Sequence, residues 1–205
     1  MKQYHEIDGK PRYNFPIIAF DKLDGSNVRA EAGRKQGFYK FGRRHGLLDD
    51  TNPTLKNETE PLIRSKYEDA LMRVLTEQRW ESAVFYFEFW GPNSFAGNHA
   101  AEPHTVTLFD VDVFKKGLLE PREFIRLFGH LDTPNVLYTG NCNVPFVESV
   151  REGTLDGVTL EGVVCKGAPD KRTKQPLMFK VKSKAWIEKL KGACGGDDAL
   201  FRKLL

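Results

Sequence analysis

The chain has 205 residues, with 31 lysines and arginines against 28 aspartates and glutamates, so its formal net charge is +3. Hydrophobic residues make up 40% of the sequence and include fifteen phenylalanines, which is enough apolar material for a folded core. The near balance of charge argues against a polycation that coats nucleic acid indiscriminately. Any basic binding surface therefore has to be local.

The three cysteines are far apart and contain no CxxC pair, which argues against a zinc or disulfide framework. No apolar run approaches the roughly 20 residues that a membrane span requires. We therefore expect a cytoplasmic protein with no membrane partner.

The first predicted elements surround a lysine. PIIAFDK (16–22) is a continuous apolar run that predicts a buried strand, and NVRAEA (27–32) alternates as a half-buried strand does. Asp24-Gly25 between them is typical of a turn. These features predict a β-hairpin that holds Lys22 at a strand end.

Further along, the apolar spacing after Pro61 predicts an amphipathic helix over 61–78. AVFYFEFWG (83–91) is apolar on both faces and predicts an interior strand that carries one acid, Glu88. The remaining predicted elements are strands at 37–44, 105–114, 157–167 and 177–186 and a helix at 121–131. Many strands that are distant in sequence, with few helices, favour an α+β fold built on antiparallel sheets.

Lys22 is a candidate nucleophile. A primary amine attacks phosphorus or carbonyl carbon only when it is neutral, whereas a free lysine has a pKa of ~10.4. Lowering that pKa to ~7.4 requires about 4 kcal/mol, which burial and neighbouring cations can supply. Lys180 and Lys182 in FKVKSK lie two residues apart, so they share one face of a strand and could supply the charge and hold phosphate oxygens.

Two acids lie in apolar strands, Glu88 and Glu161. Alternation along LEGVVC would place Glu161 on the same face as Val163 and Cys165. A buried acid needs a partner, and a magnesium ion or a lysine would serve. We therefore predict one polar pocket that contains Lys22 and the acids.

The segment Lys22-Leu23-Asp24-Gly25 resembles the KxDG nucleophile motif of the covalent nucleotidyltransferases, the superfamily of polynucleotide ligases and mRNA capping enzymes. Asn27, two positions after the glycine, favours the RNA ligases over the DNA ligases. Five further segments follow in the family order: FGRRHG (41–46), FYFEFWG (85–91), LFD (108–110), EGVVCK (161–166) and FKVKSK (179–184). Their order and spacing match the superfamily across roughly residues 15–186, and FGRRHG and LFD are more similar to the phage double-strand-sealing and editing-type RNA ligases than to the capping enzymes.

The resemblance implies an α+β nucleotidyltransferase domain, the ATP-grasp-like ligase adenylation fold, over residues 1–190, with 191–205 as a short tail and no appended OB-fold. It implies ATP with Mg²⁺ or Mn²⁺ as cofactors. The implied substrate is RNA with 5′-phosphate and 3′-hydroxyl ends, and a separate domain or protein could replace the missing C-terminal module.

The resemblance also implies residue roles. Lys22 would attack the α-phosphate of ATP and become lysyl-AMP, and Asp24 and Glu161 would bind the metal or the attacking lysine. Lys180 and Lys182 would bind the α-phosphate and stabilise the charge that develops on it. The remaining nucleotide contacts would be Asn27, Arg44 at a phosphate or the RNA end, Glu88 at the ribose hydroxyls, Phe109 stacked on the purine, and Lys166 at a phosphate.

Lys166 lies five residues after Glu161, which in a regular strand means the opposite face. A bulge or turn is therefore expected between them. Three alternatives remain open at this point: a DNA ligase, a capping-type nucleotidyltransferase, and a non-catalytic RNA-binding relative.

Overall fold

The computed structural model describes residues 1–92, 94, 99, 101–169 and 176–205. They form ten strands and five helices, numbered here in chain order. The elements are β1 (Pro16–Asp21), β2 (Ser26–Gly33), β3 (Gly37–Arg43), β4 (Gly46–Leu47), α1 (Pro53–Glu77), β5 (Ser82–Trp90), β6 (Thr105–Val113), β7 (Gly117–Leu118), α2 (Pro121–Phe128), β8 (Val136–Asn141), α3 (Val144–Arg151), β9 (Gly162–Gly167), β10 (Leu177–Lys182), α4 (Lys184–Ala193) and α5 (Asp198–Leu204). Both sheets are antiparallel, which confirms the predicted α+β class.

The chain divides into two compact units, each built on one sheet. The six-stranded unit comprises Met1–His5, Gly25–Asn93 and His99–Thr133, and its strand order is β4-β3-β2-β5-β6-β7. The four-stranded unit comprises Glu6–Asp24, Ser94–Asn98 and Pro134–Leu205, and its strand order is β10-β9-β1-β8.

The core of the six-stranded unit lies under α1. Asn52 caps this helix by accepting a hydrogen bond from the Leu55 amide at 3.1 Å, and Pro53 takes the first turn, where no backbone N–H is needed. The predicted start at Pro61 is wrong, because Pro61 lies inside the helix. The buried helical face includes Tyr67, whose ring centroid lies 5.2 Å from that of Phe87 on β5.

The predicted hairpin around Lys22 is also wrong. β1 pairs with β8 and β9, whereas β2 pairs with β3 and β5, so the two strands belong to different sheets. The Asp24-Gly25 step carries the chain from one sheet to the other. A side chain at Gly25 would place its Cβ 2.3 Å from the Phe89 carbonyl oxygen, so the glycine there is required by close backbone approach.

The core of the four-stranded unit lies between its sheet and α3. Alternate residues of β1, β9 and β10 point into it, among them Ile17, Val163 and Phe179, and they pack on Phe146 and Val150 of the helix. The opposite face of the sheet therefore carries the other alternating set, which includes the lysines of β9 and β10.

The last predicted strand is shorter than expected. β10 ends at Lys182, and Ser183 then caps α4 by accepting from the Trp186 amide at 3.1 Å. Trp186, Leu190 and Cys194 form a small second core in this unit. None of the helices in the described parts of the chain has the length and apolar character needed to cross a membrane.

Candidate active site

A buried carboxylate lies between two lysines in the four-stranded unit. Lys22 Nζ is 2.9 Å from Glu161 Oε2, and Lys182 Nζ is 3.3 Å from Glu161 Oε1. The side chain of Glu161 is 5% exposed, that of Lys182 9% and that of Lys22 22%. From the sequence, the possible partner of Glu161 was a magnesium ion or a lysine, and in the structure Glu161 contacts two lysines. We call Lys22, Glu161, Lys180 and Lys182 the lysine cluster.

Backbone hydrogen bonds fix both ends of this ion pair. The Lys22 amide, directly after β1, donates to the Gly162 carbonyl at 2.9 Å, and the Ser183 amide donates to the Glu161 carbonyl at 3.0 Å. The strand ends of β1, β9 and β10 are thereby held together, which places the three charged side chains at one end of the sheet.

Glu161 is on the opposite face from the one predicted. Val163 and Cys165 point into the core against α3, whereas Glu161 contacts the lysines. The cause is Gly162, which has φ of +126° and would place a Cβ 2.1 Å from the Val181 carbonyl oxygen. This glycine breaks the alternation between Glu161 and the strand.

The same break accounts for Lys166. The β9–β10 register pairs Lys166 with Met178, Val164 with Lys180 and Gly162 with Lys182, so Lys166 shares the face of the two β10 lysines. The turn that the five-residue spacing required is therefore Gly162. Lys166 is buried, and its ammonium lies 5.0 Å from the centroid of the Phe20 ring.

The β10 lysines already hold oxygen atoms. Lys180 Nζ donates to the Leu205 carbonyl at 2.9 Å, and Lys182 Nζ lies 3.4 Å from the Leu204 carbonyl and 3.7 Å from the centroid of the Trp186 ring. Burial lowers the pKa of Lys182 to about 8, with the positive charges of Lys22 and Lys180 acting in the same direction and Glu161 opposing them. Both ammonium groups are thus placed to donate hydrogen bonds to an anionic oxygen.

Asp21 is a supporting residue that sequence reasoning missed. Its Oδ1 accepts hydrogen bonds from both the amide and the hydroxyl of Thr159, each at 3.0 Å, which ties the end of β1 to the loop that leads into Glu161. Burial raises the pKa of Asp21. The available signal was an acid at the last position of an apolar strand, directly before Lys22.

The six-stranded unit carries the other predicted nucleotide contacts. Asn27, Glu88 and Thr107 are cross-strand neighbours on β2, β5 and β6. The Oδ1 of Asn27 is buried without a hydrogen-bond partner among the described residues, which is the state expected of an atom that a ligand satisfies. Arg44 is exposed in the turn after β3, next to Arg43, so it lies at the same end of the sheet as Asn27.

Phe109 occupies a β-bulge. Tyr86 pairs with Asp110 and Phe87 with Leu108, so Phe109 is the extra residue on β6. A bulge re-aims side chains, and here Leu108 points into the core while Phe109 is partly exposed. The LFD segment therefore presents an aromatic ring away from the core.

The predicted metal ligands are Asp24 and Glu161, which are 6% and 4% exposed. In the described parts of the chain no three His, Cys, Asp or Glu side chains form a complete metal site. Mg²⁺ needs only one or two protein carboxylates when substrate phosphates supply other oxygens. Two buried acids, one of them within the lysine cluster, fit that mode of binding.

Comparisons with known proteins bear on the family and the fold. The family model for RNA ligase matches residues 15–182. The fold is similar to that of Naegleria gruberi RNA ligase with PPi, with a TM-score of 0.65 and 19% identity over 88% of this chain and 53% of that chain. Variants of that ligase with ATP and Mn and with AMP and Mn match with TM-scores of 0.63 and 0.64, each at 18% identity over 86% of this chain and 52% of the other.

No curated protein sequence matches the chain. The chain spans about half the length of the Naegleria gruberi structures it resembles. The family match nevertheless covers most of its residues and includes Lys22, Glu161 and Lys182. The resemblance seen in the sequence is confirmed: this chain belongs to the RNA ligase family.

Proposed function

We propose that the chain is the adenylation domain of an ATP-dependent RNA ligase. Lys22 Nζ attacks the α-phosphorus of ATP, the bond to pyrophosphate breaks, and a lysyl-AMP phosphoramidate forms. The AMP passes to the 5′-phosphate of an RNA end, and a 3′-hydroxyl then displaces AMP and seals the strand. The observation that carries the proposal is the Lys22–Glu161–Lys182 contact at the KxDG position.

Lys22 must lose a proton before it attacks, and Glu161 is placed to help. Glu161 Oε2 lies 2.9 Å from the amine, within the reach that a proton acceptor requires. Lys180, Lys182 and Lys166 share one sheet face, where they stabilise the charge that develops on the transferring phosphate. Cations that are fixed before the reaction do not have to reorganise during it.

The six-stranded unit supplies the nucleoside contacts in this proposal. Glu88 accepts hydrogen bonds from the ribose hydroxyls and Phe109 stacks on the purine. Asn27 donates or accepts at the nucleotide through its amide, whose oxygen has no partner among the described residues. Arg44, exposed at the same end of the sheet, contacts a phosphate or the RNA end.

Asp24 and Glu161 would hold Mg²⁺ or Mn²⁺, which neutralises phosphate charge when bound. ATP and a divalent metal are supported by the Naegleria gruberi RNA ligase structures that contain ATP and Mn. We also propose that end joining uses a separate domain or protein besides this adenylation domain.

Labelling with α-³²P-ATP and Mg²⁺ tests the proposal. The wild-type protein should acquire one covalent label, and Lys22→Ala should abolish it. Lys35→Ala is the matched control, because Lys35 is an exposed lysine in the β2–β3 turn. A label that survives Lys22→Ala, or one that Lys35→Ala removes, contradicts the assignment.

Two competition experiments separate the alternatives. Unlabelled GTP or NAD that displaces the label better than ATP would indicate a capping-type or NAD-dependent enzyme. Sealing of nicked DNA in preference to nicked RNA would indicate a DNA ligase. Salt-sensitive RNA binding with no covalent label would indicate a non-catalytic relative.

A further inference from the structure

The first five residues pack on one face of the six-stranded sheet. Lys2 Nζ donates to Asp112 Oδ2 at 2.5 Å, and the Tyr4 hydroxyl donates to Asp110 Oδ2 at 2.7 Å. Lys2 and Tyr4, two residues apart in the segment, thus form hydrogen bonds with Asp112 and Asp110, two residues apart on β6. This N-terminal segment, Met1–His5, lies outside the range that the family model matches.

The backbone of the segment is held as well. The Lys2 carbonyl accepts a hydrogen bond from Arg29 Nη1 at 2.8 Å and lies 3.3 Å from the Tyr86 hydroxyl. Arg29 and Tyr86 are buried on β2 and β5, so the segment is bound to three neighbouring strands. Its side chains therefore have a defined position on the sheet.

Tyr4 contacts the β6 bulge in two ways. Its ring meets the Phe109 ring edge-on, with centroids 5.0 Å apart at 86°, and it packs 4.9 Å from the Tyr86 ring. Its hydroxyl bonds Asp110, the residue after Phe109. Burial and the charge of Asp110 raise the pKa of Tyr4 well above its ordinary value, so the hydroxyl stays a donor.

A bulged residue has no regular ladder partner, so the direction of its side chain depends on what packs against it. We propose that Tyr4 is a positioning residue that holds the Phe109 ring in the orientation that stacks on the purine of ATP. This inference rests on the proposed function. It means that the N-terminal segment contributes to ATP binding through Tyr4.

The expected effect lies in ATP affinity. A base stacked on an aromatic side chain changes affinity on the order of 5- to 150-fold when the aromatic residue is removed. Tyr4→Leu keeps Phe109 and its stacking on Tyr86 but removes the edge-on ring contact, so we expect the ATP concentration for half-maximal lysyl-AMP formation to rise about 5- to 20-fold with little change in maximal rate. Tyr4→Phe, which keeps the ring and loses the bond to Asp110, should raise it less.

Lys2→Ala is the matched control, because it removes the other side-chain bond of the same segment to the same strand. We expect its half-saturating ATP concentration to stay within about 2-fold of wild type. If Lys2→Ala has as large an effect as Tyr4→Leu, the segment acts through general stability and the positioning role is wrong.

A double-mutant cycle tests the route of the effect. If Tyr4 acts through Phe109, Tyr4→Leu should add nothing in the Phe109→Ala background, whereas independent contributions would multiply. Multiplication overturns the proposal. Tyr4→Phe keeps the test informative if Tyr4→Leu fails to fold.

Calorimetric binding of ATP without Mg²⁺ separates the two proposals. If no variant forms lysyl-AMP but ATP binding still depends on Tyr4 through Phe109, the ligase proposal fails and the positioning role stands. If wild type is labelled with ATP and binding does not depend on Tyr4, the positioning role fails alone.

Discussion

Glu161→Gln removes the negative charge of the lysine cluster while keeping the size of the side chain. Two ammonium groups, at 2.9 and 3.3 Å, then lose their counter-charge in a site where the carboxylate is 5% exposed. Breaking a buried pair by removing one partner costs roughly 3–5 kcal/mol. Since Lys22 keeps 22% of its surface exposed, we expect the lower end, about 3 kcal/mol.

A loss of that size is measurable as a melting temperature. For a chain of this length about 3 kcal/mol corresponds to a fall of roughly 6–12 °C in Tm. Glu152→Gln is the matched control, because the Glu152–Lys184 pair is 53% and 62% exposed and an exposed pair contributes about 0–1 kcal/mol. Lysyl-AMP formation by Glu161→Gln should also slow on the order of 100-fold, if the carboxylate accepts the Lys22 proton.

A second substitution tests whether the loss of stability comes from buried ammonium groups that lack a counter-charge. In Glu161→Gln/Lys182→Met one unpaired buried ammonium is gone, so part of the lost stability should return. The reasoning is refuted if Glu161→Gln melts within about 2 °C of wild type, as the exposed control should. It is also refuted if the double variant is less stable than the single one.

Three other substitutions or treatments have definite expected outcomes. Gly162→Ala, which forces a Cβ to 2.1 Å from a backbone carbonyl at φ +126°, should cost at least about 3 kcal/mol in urea unfolding, whereas the helical control Gly192→Ala should be stabilising by about 0.5–1 kcal/mol. Burial raises the pKa of Asp21 above 3.8 in the folded protein, so the protonated carboxyl group contributes stability that is complete below pH 3.8 and is lost as the pH rises through the pKa of the folded state. The difference in unfolding free energy between wild type and Asp21→Asn should therefore shrink as the pH rises over that range. A difference that grows with pH would contradict the assignment. Burial also raises the pKa of Cys142 and Cys165, so both thiols should resist alkylation at pH 8 in native protein and react once urea unfolds it.

The strands were predictable where their side-chain pattern is local. β1 and β5 were found because continuous apolar runs indicate interior strands. The second face of β5 is also apolar because the N-terminal segment covers it, where Tyr4 packs against Tyr86. The motif order also located Lys22, Glu161 and Lys182, which the structure brings into contact.

The errors arose where tertiary structure overrides a local signal. Asp24-Gly25 has turn chemistry, but no local pattern tells whether the next strand joins the same sheet. The start of α1 was missed because Pro61, a typical first-turn residue, lies inside a helix that Asn52 already caps. The orientation of Glu161 was wrong because Gly162, with a positive φ, breaks the period of two on which strand predictions depend.

The mass of the intact protein after incubation with ATP and Mg²⁺, followed by mapping of the modified peptide, tests the central claim most directly. The account predicts a gain of one AMP, carried by the peptide that contains Lys22 and absent from Lys22→Ala. An unmodified protein, or AMP attached to any other residue, would contradict it.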